Sequence, residues 1–183
     1  MLSHTLFLHE NRLSQSLLSE VATLLLKTGL SLKEIDCIAV GIGPGSYTGT
    51  RIGVAVARSL SFGLNIPIRG FCSLLAFLPP AQGHFASLLA AKSGLFFLLA
   101  GEKREKRLTI QQANLVTDAE LQKTLLLADF VTARRRDEFC HTHKIKEFFP
   151  FQPDPQNIVH ALQEPPQFPF ETQSQLLYLH ALA

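Results

Sequence analysis

Gly41-Ile42-Gly43-Pro44-Gly45-Ser46-Tyr47-Thr48-Gly49-Thr50-Arg51 is the stretch that decides how this chain is read. It follows a short apolar run, Cys37-Ile38-Ala39-Val40, and leads straight into Ile52-Gly53-Val54-Ala55-Val56-Ala57-Arg58-Ser59-Leu60. The glycines therefore sit where a buried strand turns into a helix. Glycine there permits positive φ and close approach of a second backbone, Pro44 stiffens the turn, and Ser46 or Thr48 can accept from the first free helix N–H groups. Such a helix start attracts anions, which makes Gly43, Gly45, Ser46 and Thr48 candidate contacts for a phosphate-bearing cofactor. Two common nucleotide loops are excluded by spacing. A P-loop ends Gly-Lys-Ser/Thr where this one ends Gly49-Thr50-Arg51, and a dinucleotide fingerprint needs its third glycine where Thr48 stands.

Outward from the loop, the pattern alternates. Thr5 to Leu8 reads as a short strand, Leu13 to Thr28 as a helix stopped by Gly29, and Ile35 to Val40 as a strand. Thr48 to Phe62 then reads as a helix stopped by Gly63, and Ile66 to Phe71 as another strand. Strands separated by helices imply parallel pairing. After the break at Pro79-Pro80, residues Phe85 to Ala91 and Leu95 to Ala100 flank Lys92-Ser93-Gly94 as a hairpin, with Leu108 to Gln112 a third strand. Thr117 and Glu120 form a capping box ahead of a helix from Leu121 to Leu127. Phe130 to Ala133 reads as a strand and Gln156 to Leu162 as a short helix. The reading is of two lobes, residues 1–80 and 81–183.

On the first helix Leu13, Leu17, Leu18, Val21, Ala22, Leu24, Leu25 and Leu26 cover roughly 220° of the wheel, against the ~100° stripe that one core face needs. On the second, Gly49, Gly53, Ala57, Ile52, Val56 and Leu60 share one broad face, edged by Arg51 and Arg58. Small residues at this spacing let another backbone come close. Either both helices are sandwiched within the chain, or one side of each meets a partner protein, since a bare apolar patch is an aggregation liability.

Composition narrows the class. The 183 residues carry 17 basic and 15 acidic side chains, a net +2, too balanced for an autonomous nucleic-acid binder. Arg134-Arg135-Arg136 is the one run that suggests phosphate contact, whereas Glu102 to Arg107 mixes signs and reads as a solvated turn. Cys37, Cys72 and Cys140 are odd in number and far apart, and read as reduced core thiols. Phe85 to Ala100 is too interrupted for a membrane span, and no basic-then-apolar leader opens the chain, so a cytoplasmic protein is expected. His141 and His143 are two apart and the other histidines isolated, so no metal site is expected. No histidine lies near Ser46 in sequence and no carboxylate pair stands out, so no catalytic residues are assigned.

The segment Gly43 to Gly53 resembles the G-P-G-S-F/Y-T-G-x-R-I-G signature of the TsaB (YeaZ) family, bacterial proteins required for threonylcarbamoyladenosine (t6A) modification of tRNA. Pro67-Ile68-Arg69-Gly70-Phe71-Cys72-Ser73-Leu74 matches that family's P-I-x-G-x-x-S-L segment, and Leu176 to His180 is similar to its closing P-x-Y-L-R without the proline and arginine. The resemblance implies an actin-like (ASKHA), two-lobed α/β fold. Relatives begin with a β-hairpin carrying an Asp-Thr-Ser-like segment, and with only Leu2 to His9 ahead of the helix entry this first lobe is expected to lack it. It further implies a non-catalytic subunit that binds and stabilises the catalytic paralogue TsaD, with TsaE joining the assembly and tRNA reached through the complex. Partner contacts would come from Leu17, Val21, Leu24, Gly49, Gly53, Val56, Ala57 and Leu60, and Arg134, Arg135 and Arg136 would be the nucleic-acid candidates. No intrinsic cofactor is implied, with ATP or ADP allowed at a partner interface. The rival readings are an ATP-using transferase or peptidase of the same superfamily, and a structural protein that forms a homodimer through the same helices.

Overall fold

The computed structural model describes residues 13–105, 107–133, 148–149 and 151–163. These fall into two compact units that divide between Cys72 and Ser73.

The first unit runs α1 (Leu13–Thr28), a 3-10 turn (Leu32–Glu34), β1 (Ile38–Gly41), α2 (Tyr47–Leu64) and β2 (Ile68–Phe71). β1 and β2 pair in parallel, as their separation by a helix requires, in a register from Ile38 opposite Ile68 to Gly41 opposite Phe71. The Ile38 N–H donates to Pro67 O and the Ile42 N–H to Phe71 O, both at 2.9 Å, so the ladder runs on into the glycine loop. Both strands are shorter than the apolar runs suggested. Cys37 lies just before β1 and is exposed, which corrects its reading as a core thiol, while Cys72 is buried as expected. The expected strand Thr5 to Leu8 lies outside the described residues.

The two helices stop by the same device built from different residues. Gly29, at φ +70°, donates to Leu26 O while Leu30 N–H reaches Leu25 O. At the end of α2 the corresponding left-handed residue is Asn65, at φ 53°, donating to Phe62 O while Ile66 N–H reaches Ser61 O. This is the Schellman arrangement, in which asparagine can replace glycine. The expected stop at Gly63 is therefore corrected: α2 runs through it, because the residue that turns the chain is two positions later.

The second unit contains a 3-10 turn (Ser73–Phe77), β3 (Gly83–Ala90), β4 (Phe96–Arg104), β5 (Arg107–Val116), α3 (Asp118–Leu125), β6 (Phe130–Ala133), β7 (Phe148–Phe149) and α4 (Pro155–Gln163). Its five strands lie in the order β5-β4-β3-β6-β7, antiparallel among the first three and parallel from β3 to β6 and β6 to β7. The expected hairpin is there, turned by Ser93 and Gly94 at positive φ. β5 is twice the expected length, and the reason is a bulge. Ala100 faces Gln112 but Gly101 faces Ile110, leaving Gln111 as an extra residue. Apolar and polar residues alternate on either side of the doubled glutamine. The extra residue restores the phase, so that Leu108, Ile110, Ala113 and Leu115, opposite Lys103, Gly101, Leu99 and Phe97, share one face. The bulge brings the β5 backbone so close that a Cβ on Gly101 would collide with the Thr109 carbonyl oxygen.

α3 begins at its predicted cap. Thr117 Oγ1 accepts from Glu120 N–H at 3.4 Å, and Glu120 Oε2 accepts from Thr117 N–H at 2.8 Å. The helix starts directly after the cap and ends at Leu125, earlier than expected. It seats Leu121 and Leu125 against Leu98, Val116 and Val131 in a continuous core. On the other side of the chain α4 is tied to the segment after β2. Lys103 Nζ donates to Pro79 O at 3.0 Å and to Asn157 Oδ1 at 2.9 Å, Asp154 N–H donates to Ala76 O at 2.7 Å, and Phe151 stacks on Phe77 with ring centroids 3.9 Å apart. Burial holds the Lys103 ammonium below its ordinary pKa, opposed by Asp154. Lys103 is thus a strand residue with fixed partners, which corrects its reading as part of a solvated turn.

Candidate functional site

The glycine loop has a buried foot and an exposed tip. Ile42, Gly43 and Pro44 are buried, Ile42 completely, and Gly43 sits at φ +114°, a conformation that favours glycine. Gly45, Ser46, Tyr47 and Thr48 are exposed. Ser46 is the N-cap of α2, its Oγ accepting from Gly49 N–H at 3.3 Å, and its carbonyl accepts from both the backbone N–H and the hydroxyl of Thr50. The hydroxyl expected to greet an anion is thus engaged with its own helix. Beside it, Arg51 lies over the ring of Tyr47 at 4.1 Å, closing the first turn with a cation–π contact. Gly43, Gly45, Ser46 and Thr48 are brought together at one end of α2, as the sequence suggested.

The two helices divide their apolar surface between inside and outside. Val54 and Ala57 are 4% and 5% exposed. Gly53 also points inward: a Cβ there would stand 3.9 Å from Val40 Cγ2, in ordinary contact with β1. Gly53 and Ala57 therefore seat α2 on its own sheet, and the row of small residues is spent there in large part on packing within the unit. Gly49, Val56 and Leu60 are half-buried, as are Leu17, Val21 and Leu24 on α1. No residue of α1 whose burial is described is fully buried.

The outward face is carried by residues that the candidate set omitted. Phe62 is 91% exposed, Leu26 82% and Leu18 55%, with Leu30 and Leu32 also in the open. For Leu18 and Leu26 the signal was present in the width of the apolar arc on α1. Phe62 lies within the helix the sequence predicts but off the small-residue face Gly49, Gly53 and Ala57, on which the candidate set was built.

Chemistry is sparse in this unit. Residues 13–72 contain no histidine, so Ser46 has no imidazole neighbour among the described residues of this unit. Among the described residues no group of three His, Cys, Asp or Glu side chains is placed to hold a metal ion. Glu34 closes the 3-10 turn, its Oε2 accepting from Ser31 N–H at 2.8 Å and from Ser31 Oγ at 2.9 Å. These bonds hold its carboxyl below the ordinary range. The Ser31-x-x-Glu34 spacing could have revealed this. Arg134, Arg135, Arg136, His141 and His143 lie outside the described residues. No described helix is long and apolar enough to cross a membrane.

Comparison with known proteins follows the same lines. The model of the family described as TsaD, tRNA N6-adenosine threonylcarbamoyltransferase, matches residues 8–122, well over half the chain. The Haemophilus influenzae tRNA threonylcarbamoyladenosine biosynthesis protein TsaB is 36% identical over 100 residues, covering 49% of this chain and 42% of the relative. The Escherichia coli TsaB is 40% identical over 70 residues, covering 38% and 29%. The chain thus spans less than half the length of these curated relatives. A Pseudomonas aeruginosa crystal structure, described as an uncharacterized protein with similarity to peptidase YEAZ, superposes with a TM-score of 0.73 at 20% identity, over 91% of this chain and 83% of that one. A second, described as YeaZ from the same organism, gives 0.67 at 18%. The fold class is the mixed α/β, actin-like one that the family resemblance implied.

Proposed function

Because the chain belongs to the tRNA N6-adenosine threonylcarbamoyltransferase family, in its TsaB/YeaZ branch, we propose that it serves t6A synthesis as a non-catalytic subunit that docks the catalytic paralogue TsaD. The observation that carries this reading is the exposed apolar surface of α1 and the end of α2, where Leu18, Leu26 and Phe62 face water. Large apolar side chains left this bare are the kind that a protein contact covers, and an aromatic such as Phe62 is the usual anchor of one. TsaE joins and tRNA is engaged through the assembled complex, and ATP or ADP is accommodated at the partner interface, where the exposed tip Gly45 to Thr48 offers the start of α2. The relatives named for t6A biosynthesis support the pathway.

The test mixes this chain with TsaD and reads complex mass by light scattering and affinity by calorimetry. Phe62→Ser and Leu26→Ser should each weaken binding about tenfold or more, corresponding to some 1.4 kcal/mol lost from a hot spot, while the isolated chain melts as before. Unchanged affinity in the double variant would defeat the assignment of this face. Loss of a self-association instead, with no TsaD binding by the unaltered chain, would favour the homodimer.

A further inference from the structure

The second unit contains a cavity that its own packing explains and that the proposed docking role does not use. α3 has eight residues, about 12 Å of helix, while β4, against which it packs, has nine, about 30 Å of strand. The helix cannot cover the sheet to its end. Where it stops, a pocket of about 190 Å³ opens between its last turn and the strands. The floor is apolar, from Phe85, Ala100 and Ala128, all nearly fully buried. The rim carries Gln111, Lys123 and Leu127.

Three observations give the pocket a polarity. Gln111 is the extra residue of the β5 bulge, and bulges re-aim side chains at the edges of sites. Lys123 is exposed and feels Glu120 one turn earlier, yet it forms no ion pair among the described residues. Leu127, 76% exposed, leaves apolar surface beside that ammonium. His84, also on the rim, has its Nδ1 3.4 Å from Asp129 Oδ2, which also accepts from the His84 backbone N–H at 2.9 Å, so this side chain is held by Asp129 and Lys123 is the group left to a ligand. A ligand matching this layout places a short branched or cyclic hydrocarbon body on the floor and an acceptor group at the rim.

We propose that this pocket binds a small amphipathic monocarboxylate, with the carboxylate on Lys123 and Gln111 and the apolar body against Ala100 and Ala128. The volume lies below the range of drug-sized sites, which sets the ligand at fragment size and the affinity in the millimolar range. The test titrates the full chain, followed by backbone amide NMR, with isovalerate and with its neutral isostere isovaleramide. Isovalerate should give saturable shifts at Ala100, Gln111, Lys123 and Leu127, and isovaleramide should bind about tenfold more weakly or not at all. Lys123→Met should abolish the preference without changing Tm, since Lys123 is exposed, and Lys123→Arg should retain it. Absence of saturable shifts overturns the proposal, as does equal binding of acid and amide that is indifferent to Lys123→Met. Shifts at these residues that come only with a protein partner would also overturn it, assigning Leu126 and Leu127 to protein docking instead.

Discussion

The two units spend their apolar residues differently. In the second, Leu121, Leu98, Val116 and Val131 are at most 1% exposed, and one core runs from α3 through the sheet to β6. In the first, the sheet holds two strands among the described residues, α1 contributes no fully buried residue whose burial is described, and Leu26 and Phe62 are more than four-fifths exposed. Similar leucine-rich segments have thus been put to opposite uses. A pair of strands offers helices little to close over, and among the described residues the outer surface of α1 and the end of α2 stays open.

The largest expected effect measures that contrast directly. Leu121→Ala empties a site with no exposed surface and should cost about 3 kcal/mol, a fall in Tm of roughly 6–12 °C for a chain of this size. Leu26→Ala removes the same atoms from an 82% exposed position and should change stability by less than about 0.5 kcal/mol. Scanning calorimetry of the two variants checks both. Comparable losses would mean that the two units bury their leucines alike, and the contrast would fall.

Gly53 sharpens the comparison within the first unit. It lies on the helix face that the sequence offered to a partner, yet its Cα looks toward Val40 of β1. Gly53→Leu should therefore overpack the helix against its own sheet at about 1–3 kcal/mol and lower Tm by several degrees with no partner present. A variant that melts normally but fails to bind TsaD would put Gly53 at the interface and extend that interface inward across α2.

What the sequence made legible follows from how local each signal is. The glycine loop, the Gly29 stop, the Thr117–Glu120 cap and the β3–β4 turn are each set by a few neighbouring residues, and all were placed correctly. Errors arose where tertiary context decided. Gly63 reads as the stop of α2 because glycine is the commoner left-handed residue, but the Schellman bonds run from Asn65 and Ile66. β5 was cut short at Gln112 because a bulge disguises an alternating pattern as a broken one. Cys37 was placed in a strand that begins one residue later. The apolar arc of α1 announced an excess of hydrophobic surface, but periodicity cannot say which side of it meets water. That depends on where α2 lies.

The smallest effect compares two carboxylates in the same local motif, one in each unit. Glu34 and Glu120 each accept from the backbone N–H and the hydroxyl of a residue three positions earlier, and in both the backbone bond is the larger cause of a lowered pKa, followed by the hydroxyl bond. A folded-state pKa below the ordinary 4.5 means that the stabilisation is fully present above pH 4.5 and is lost as the pH falls through the folded value. The motif is shared, but what rests on it is not. Glu120 starts a helix that carries Leu121 and Leu125 into the core, whereas the turn closed by Glu34 buries no residue. Glutamine keeps the reach and the acceptor while removing the titration. Glu120→Gln should therefore lower Tm slightly at neutral pH, with the gap to the unaltered chain closing below pH 4.5, while Glu34→Gln should follow the unaltered chain closely throughout. Melting curves between pH 3 and 7 decide it. If Glu34→Gln produced the larger acid-sensitive gap, the first unit would depend on its capped turn more than the second depends on α3, and the division between a self-sufficient core and a partner-dependent face would have to be redrawn.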